Sequence, residues 1–115
     1  MIPTGVQIFL ALEPVDMRWS FDRLSGVARE AIGYDARSGA LFIFYGKRKD
    51  ALKILFFDGT GMVIFYKRFD SAVVKLPTDV PPGTRQVELD DASLEILLDG
   101  VAVEQKPSKR RQVTH

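Results

Sequence analysis

The chain has no cysteine. Disulfides and thiolate chemistry are therefore excluded, and a zinc site would need imidazole and carboxylate ligands. Its single histidine, His115, is the last residue. The body of the chain thus lacks the commonest general base and the commonest metal ligand. Ser25 in "DRLSG" has no histidine partner, which excludes a serine–histidine hydrolase. Phosphate loops are missing as well. Neither "SGAL" nor "YGKRKD" continues into Gly-Lys-Ser/Thr. "DGTG" lacks the spaced carboxylates and closing glutamate of a calcium loop, and reads as a hairpin turn. No cofactor or metal is expected, and an enzyme is not. Net charge is nearly absent, at +1, so the chain as a whole gives no sign of a nucleic-acid or membrane binder. The start, Met1 to Leu12, has no basic leader region, and its apolar run is too short to span a bilayer. A cytoplasmic protein with no membrane partner is the expectation.

What is present is hydrophobic residue, 46% of 115 positions, enough for the core of one ordinary domain. The charges that do occur are segregated. Between residues 41 and 69, six cations (Lys47, Arg48, Lys49, Lys53, Lys67, Arg68) face only Asp50 and Asp58. Between 76 and 100, Arg85 stands against six carboxylates. The end is basic again, with Lys106, Lys109, Arg110 and Arg111 against Glu104. Such asymmetry fits separate contact surfaces, and equally fits neighbouring regions that attract each other.

Local pattern places the elements. "VQIFLAL" (6–12) has the length of a strand, and Pro14 ends it. Ser20 stands where a helix N-cap belongs. Phe21, Leu24, Val27, Ala28, Ala31 and Ile32 then recur at helical spacing up to the stop at Gly33. Gly26 inside that helix costs about 1 kcal/mol relative to alanine. Residues 41–69, "LFIFYGKRKDALKILFFDGTGMVIFYKRF", read as a three-stranded antiparallel meander with turns at 46–50 and 58–61. Val73, Val74 and Leu76 suggest a further short strand, and "QVEL" (86–89) an edge strand. Asp90 is the expected N-cap of a helix over 91–99, with Leu89 and Leu94 as a hydrophobic staple and Gly100 as the stop. The fold class is α+β: an antiparallel sheet of about four or five strands, the 21–32 helix on one face and the 91–99 helix nearby. Residues 1–100 form the domain, and 101–115 a basic tail with too little apolar content to fold.

Pairing Tyr45 with Ala51 and Phe57 with Met62 gives a register for the meander. One face then carries Phe42, Phe44, Leu52, Ile54, Phe56, Val63, Phe65, Lys67 and Phe69, is nearly all apolar and must be buried. On the other face Tyr45, Lys53, Tyr66 and Arg68 converge, because cross-strand neighbours lie about 5 Å apart. Lys53, in a run of Leu52, Ile54, Leu55 and Phe56, is unfavourable in mid-strand unless its head reaches water or an anion. Cations beside aromatic planes are how single-stranded or distorted nucleic acid is often held. The alternative is a lysine snorkelling over a structural aromatic cluster. The turn Lys47–Arg48–Lys49 is either a solvated tip or an extension of the basic patch.

"GVQIFLALEPVDMRWSFDRL", "DARSGALFIF", "GKRKDALKILFFDGTGMVIFYKRF" and "SLEILLDG" together resemble the short accessory protein, of the TnpB or second-open-reading-frame type, of the IS-sixty-six family of bacterial insertion sequences. The resemblance covers about residues 5–100. It is carried by Asp16-Met17-Arg18 with Phe21 and Leu24, by Ser38-Gly39, by Lys53, by Asp58-Gly59 with Gly61, and by Tyr66-Lys67-Arg68. Phe56 and Phe57 depart from a Trp-rich pair, and Phe69 stands in place of leucine. The resemblance implies a role in transposition beside a separate DDE-type transposase and the element's other accessory proteins. It supplies no catalytic motif. The expected mechanism is binding of DNA at the element ends. Arg18, Lys47, Arg48, Lys49, Lys53, Lys67 and Arg68 would meet phosphates, with Tyr45 and Tyr66 as supports. The alternative is an interaction module that buries Leu41, Ile43, Leu55, Phe57, Met62 and Ile64 against transposase, another accessory subunit or a second copy.

Overall fold

The computed structural model describes residues 2–103. Its five-stranded sheet has the order β4-β3-β2-β1-β6, made of β1 (Ile8–Ala11), β2 (Leu41–Tyr45), β3 (Ala51–Phe57), β4 (Met62–Arg68) and β6 (Gln86–Leu89). A separate two-stranded ribbon pairs β5 (Ala72–Val73) with β7 (Val101–Ala102). The α+β class is as expected, but the sheet is mixed. β1 and β2 run parallel, with Ile8 beside Leu41. The reason is the helix between them: a helical crossover returns the chain in the same direction, where a tight turn would reverse it. The QVEL strand lies at the sheet edge, antiparallel to β1.

The helix after Ser20 is α1 (Phe21–Val27), and it continues as a π-helical turn, Ala28–Ile32. Gly33 N–H reaches back to Ala28 O at 2.8 Å, and Gly33 itself ends the turn in the left-handed region at φ 87°. Ser20 holds the N-cap position through its backbone, without a side-chain hydrogen bond to the helix. Leu24, Ala28 and Ile32 pack on Phe9, Phe42, Phe44 and Leu55. The second helix, α2 (Asp91–Asp99), is capped as the sequence suggests: Asp90 Oδ1 accepts from Ser93 N–H at 2.7 Å. Its Leu94 and Leu97 pack on the opposite sheet face, against Ile8, Leu10, Leu41, Ile43, Tyr45, Leu52, Ile54 and Phe56. Leu89 packs against the cluster that contains Leu94. The sheet is therefore covered on both faces. Fully burying each of its leucines, isoleucines or phenylalanines stabilises the fold by roughly 1.5–3 kcal/mol.

The β3–β4 register is the expected one, Phe57 beside Met62. The β2–β3 register is not: Tyr45 pairs with Leu52, one residue away from Ala51. The turn explains the slip. Gly46 N–H bonds to Ala51 O at 3.3 Å, which leaves four residues in the loop, and Lys49 takes a left-handed φ of 61° to close it. A one-residue shift exchanges faces. Leu41, Ile43 and Tyr45 consequently lie under α2, while Phe42 and Phe44 share the α1 face with Leu55.

Beyond Gly100 the chain is still structured: Val101 pairs with Val73, Ala102 with Ala72, and Val103 N–H bonds to Ser71 O. The rest of the expected basic tail, 104–115, lies outside the described residues.

Candidate nucleic-acid interface

The connection from β1 to α1 runs across the end of the sheet. Tyr45 ties it down twice. Its carbonyl accepts from Val15 N–H at 2.9 Å, and its hydroxyl donates to Leu12 O at 2.6 Å. Asp16 then organises the bend. Its carboxylate accepts from the backbone N–H of Arg18, and from Arg18 Nε and Nη2 at 3.0 and 2.7 Å, while its carbonyl accepts from Trp19 N–H. The Arg18 guanidinium holds the Asp16 carboxyl down at about 2, from an ordinary value of 3.8. Met17 lies against Gly46, where an added Cβ would come within 2.7 Å of Met17 Cγ. Glycine at 46 is what lets the connection close on the β2–β3 turn.

Between this connection, the turn and the end of β4 lies a cleft of about 530 Å³. Lys47, Arg48, Tyr66 and Arg68 line it, along with Asp16, Met17 and Asp50. Lys47, Arg48, Lys49, Tyr66 and Arg68 are all exposed. Arg68 Nη2 donates to the Tyr66 hydroxyl at 3.3 Å, an arrangement that raises the guanidinium's affinity for its proton. The guanidinium and the phenol are thus held side by side at the sheet edge. Arg18 stands beside the cleft on Asp16, with its side chain 90% exposed.

Three residues expected here are placed otherwise. Tyr45 is buried on the α2 face, because of the register shift, and burial pushes its hydroxyl up. Lys53 does share a face with Tyr66, its ammonium 5.0 Å from the ring centre, but is only 9% exposed. That ammonium donates to Trp19 O at 2.8 Å. Lys67 points to the α2 side and donates to Leu98 O at 2.6 Å, a carbonyl in the last turn of α2 left without an intrahelical partner. The two strand lysines fasten the connection and the second helix. The apolar set of the alternative reading is split as well. Leu41 and Ile43 face α2 and Leu55 faces α1, all three fully buried.

Sequence reasoning gave no site role to Asp50 or Met17, which line the cleft; no local pattern marks Asp50, and Met17 stood only within the Asp16-Met17-Arg18 stretch of the resemblance. Among the described residues no group of histidines and carboxylates is placed to hold a metal ion, and no helix is long and apolar enough to cross a membrane.

A family model described as "IS66 Orf2 like protein" matches residues 6–108, which extends past Gly100 into the basic end. The uncharacterized protein y4jC of Sinorhizobium fredii is 33% identical over 107 residues, covering 92% of this chain and 91% of its own. A second uncharacterized protein of that organism, y4hO, is 31% identical over 103 residues, covering 88% of this chain and 87% of its own. No solved structure matches.

Proposed function

From its membership of the IS66 Orf2-like family of insertion-sequence accessory proteins, we propose that the chain serves transposition without catalysing it, by holding DNA phosphates at the cleft between the β1–α1 connection and the β2–β3 turn. The observation that carries this reading is the assembly of Lys47, Arg48 and Arg68 around one concave surface beside an exposed Tyr66. Lys49 and Arg18 extend it on either side. Guanidinium and ammonium groups supply phosphate affinity, and the phenol offers a flat face to a base or sugar. Contacts of this kind position a nucleic acid and carry little sequence information. Lys53 and Tyr45 hold the connection that forms one wall of the cleft, while Lys67 is engaged with α2. Asp16 and Asp50 temper its charge, so binding is expected to be weak for the chain alone and stronger beside the element's transposase.

The test is a fluorescence-anisotropy titration of a duplex carrying the element's terminal sequence, with and without transposase, over a series of salt concentrations. Log affinity should fall linearly with log salt, and each phosphate contact removed should flatten the slope by about 0.9. Arg48→Gln and Arg68→Gln should each do so without changing the far-ultraviolet circular dichroism. Absence of binding at low salt under both conditions would overturn the proposal.

A further inference from the structure

Among the described residues the sheet has two open edges, and they differ. β6 is four residues long. Leu12 N–H bonds to Arg85 O, so in the alternating antiparallel pattern only Gln86 and Glu88 turn their backbone groups outward. β4 is seven residues long. Asp58 N–H bonds to Gly61 O and Phe69 N–H to Asp50 O, which fixes the inward-bonding positions of β4 as the odd-numbered ones. Met62, Ile64, Tyr66 and Arg68 therefore point their N–H and C=O groups away from the sheet, and no strand pairs with them among the described residues.

Long edges are normally blunted by proline, a bulge or an inward charge. Residues 62–66 carry none of these. Instead, Met62 and Ile64 on the α1 face and Val63 and Phe65 on the α2 face are all partly exposed. The strand's charges sit at one end only, Lys67 and Arg68.

We propose that this edge is closed by the β4 strand of a second copy, antiparallel and centred on Phe65, giving one continuous sheet through the dimer. In that register Met62 pairs with Arg68 of the other copy and Ile64 with its Tyr66. All four outward residues are used, each pair exchanging two backbone bonds. Phe65 meets its own mate at a non-hydrogen-bonded site, where facing side chains lie closest. Charge selects the direction. Antiparallel pairing sets each copy's Lys67 and Arg68 against the uncharged half of the other strand, whereas a parallel pair would stack like charges. Length and closure select the partner strand, since β6 of another copy would leave half of β4 unpaired and extend without closing. The two-fold axis is perpendicular to the sheet, so both basic clefts face the same way, with the Arg68 residues about 20 Å apart at 3.4 Å per residue.

The experiment is sedimentation equilibrium on the full chain, together with amide exchange by NMR. The wild type should have the mass of two chains, and the Ile64 and Tyr66 amides should be as protected as those of Val63 and Phe65. Ile64→Pro removes one outward donor and none of the β3–β4 bonds, so it should give a folded species of single-chain mass. Should that variant not fold, the wild-type exchange pattern decides alone. A wild type of single-chain mass overturns the proposal, even if it dimerises once DNA is added. So does a dimer whose Ile64 and Tyr66 amides exchange freely.

Discussion

Replacing Lys53 by methionine separates a binding lysine from a structural one. The ammonium donates to Trp19 O at 2.8 Å, and the side chain is 9% exposed. Methionine fills most of the same space, so apolar burial in the β3 stretch changes little. What disappears is one charge-assisted hydrogen bond, worth about 2 kcal/mol, and the contact with the Tyr66 ring. Unfolding entropy is about 2.1 cal/mol/K per residue, so over 115 residues that loss lowers Tm by about 8 °C. The β1–α1 connection should loosen with it, and the amides of Val15 and Trp19 should exchange faster while those of β2 stay protected. DNA affinity should fall, because the wall carrying Asp16 and Met17 is less ordered, yet the slope of log affinity against log salt should stay that of the wild type. Calorimetry and the salt series together check this. An unchanged Tm with a slope flattened by about 0.9 would mean that Lys53 touches phosphate directly, and would refute the structural role.

Asp90→Ala removes the cap on Ser93 N–H and should lower Tm by about 4 °C, measured by circular dichroism, with Asp90→Asn restoring most of it. The Asp16 carboxyl, held at about 2 by Arg18 against an ordinary 3.8, is depressed, so the order it gives the connection is complete above about pH 4 and is lost as pH falls through about 2. Carbon-detected NMR titration should find that midpoint, and Arg18→Ala should return it towards the ordinary value.

The elements themselves were legible in the sequence because their signals are local. The period of Leu24, Val27 and Ala28 (followed by Gly33) gives the first helix, and Asp90 ahead of Leu94, Leu97 and Leu98 gives the second. Which strands neighbour one another was less legible. The parallel pairing of β1 and β2 depends on where α1 packs, a tertiary outcome. The β2–β3 register depended on one backbone angle. Lysine seldom adopts a left-handed conformation, so nothing in "GKRKD" announces that Lys49 takes φ 61° and shortens the loop to four residues. That single residue decides the face of Tyr45. It removes a tyrosine from the basic cleft and makes it the anchor of the connection that forms the cleft wall.

The strand lysines were hard to read for a different reason, and it bears on how basic sheets are read. A lysine in mid-strand advertises a donor that needs an acceptor. A bound anion is one candidate acceptor. A backbone carbonyl left over at a helix end or an irregular crossing is another, and every residue carries one. Trp19 O and Leu98 O are of this second kind, and both are distant in sequence from the lysine that finds them. Sequence displays the donor and hides the acceptor. In this chain the two strand lysines are satisfied by backbone carbonyls, and the exposed cations lie where the chain turns or reaches an edge: Lys47, Arg48 and Lys49 in the turn, and Arg68 at the end of β4. A basic surface on this fold should accordingly be counted from its turns and strand ends. Charge substitutions there should change DNA binding at constant stability, whereas substitutions of Lys53 and Lys67 should change stability first.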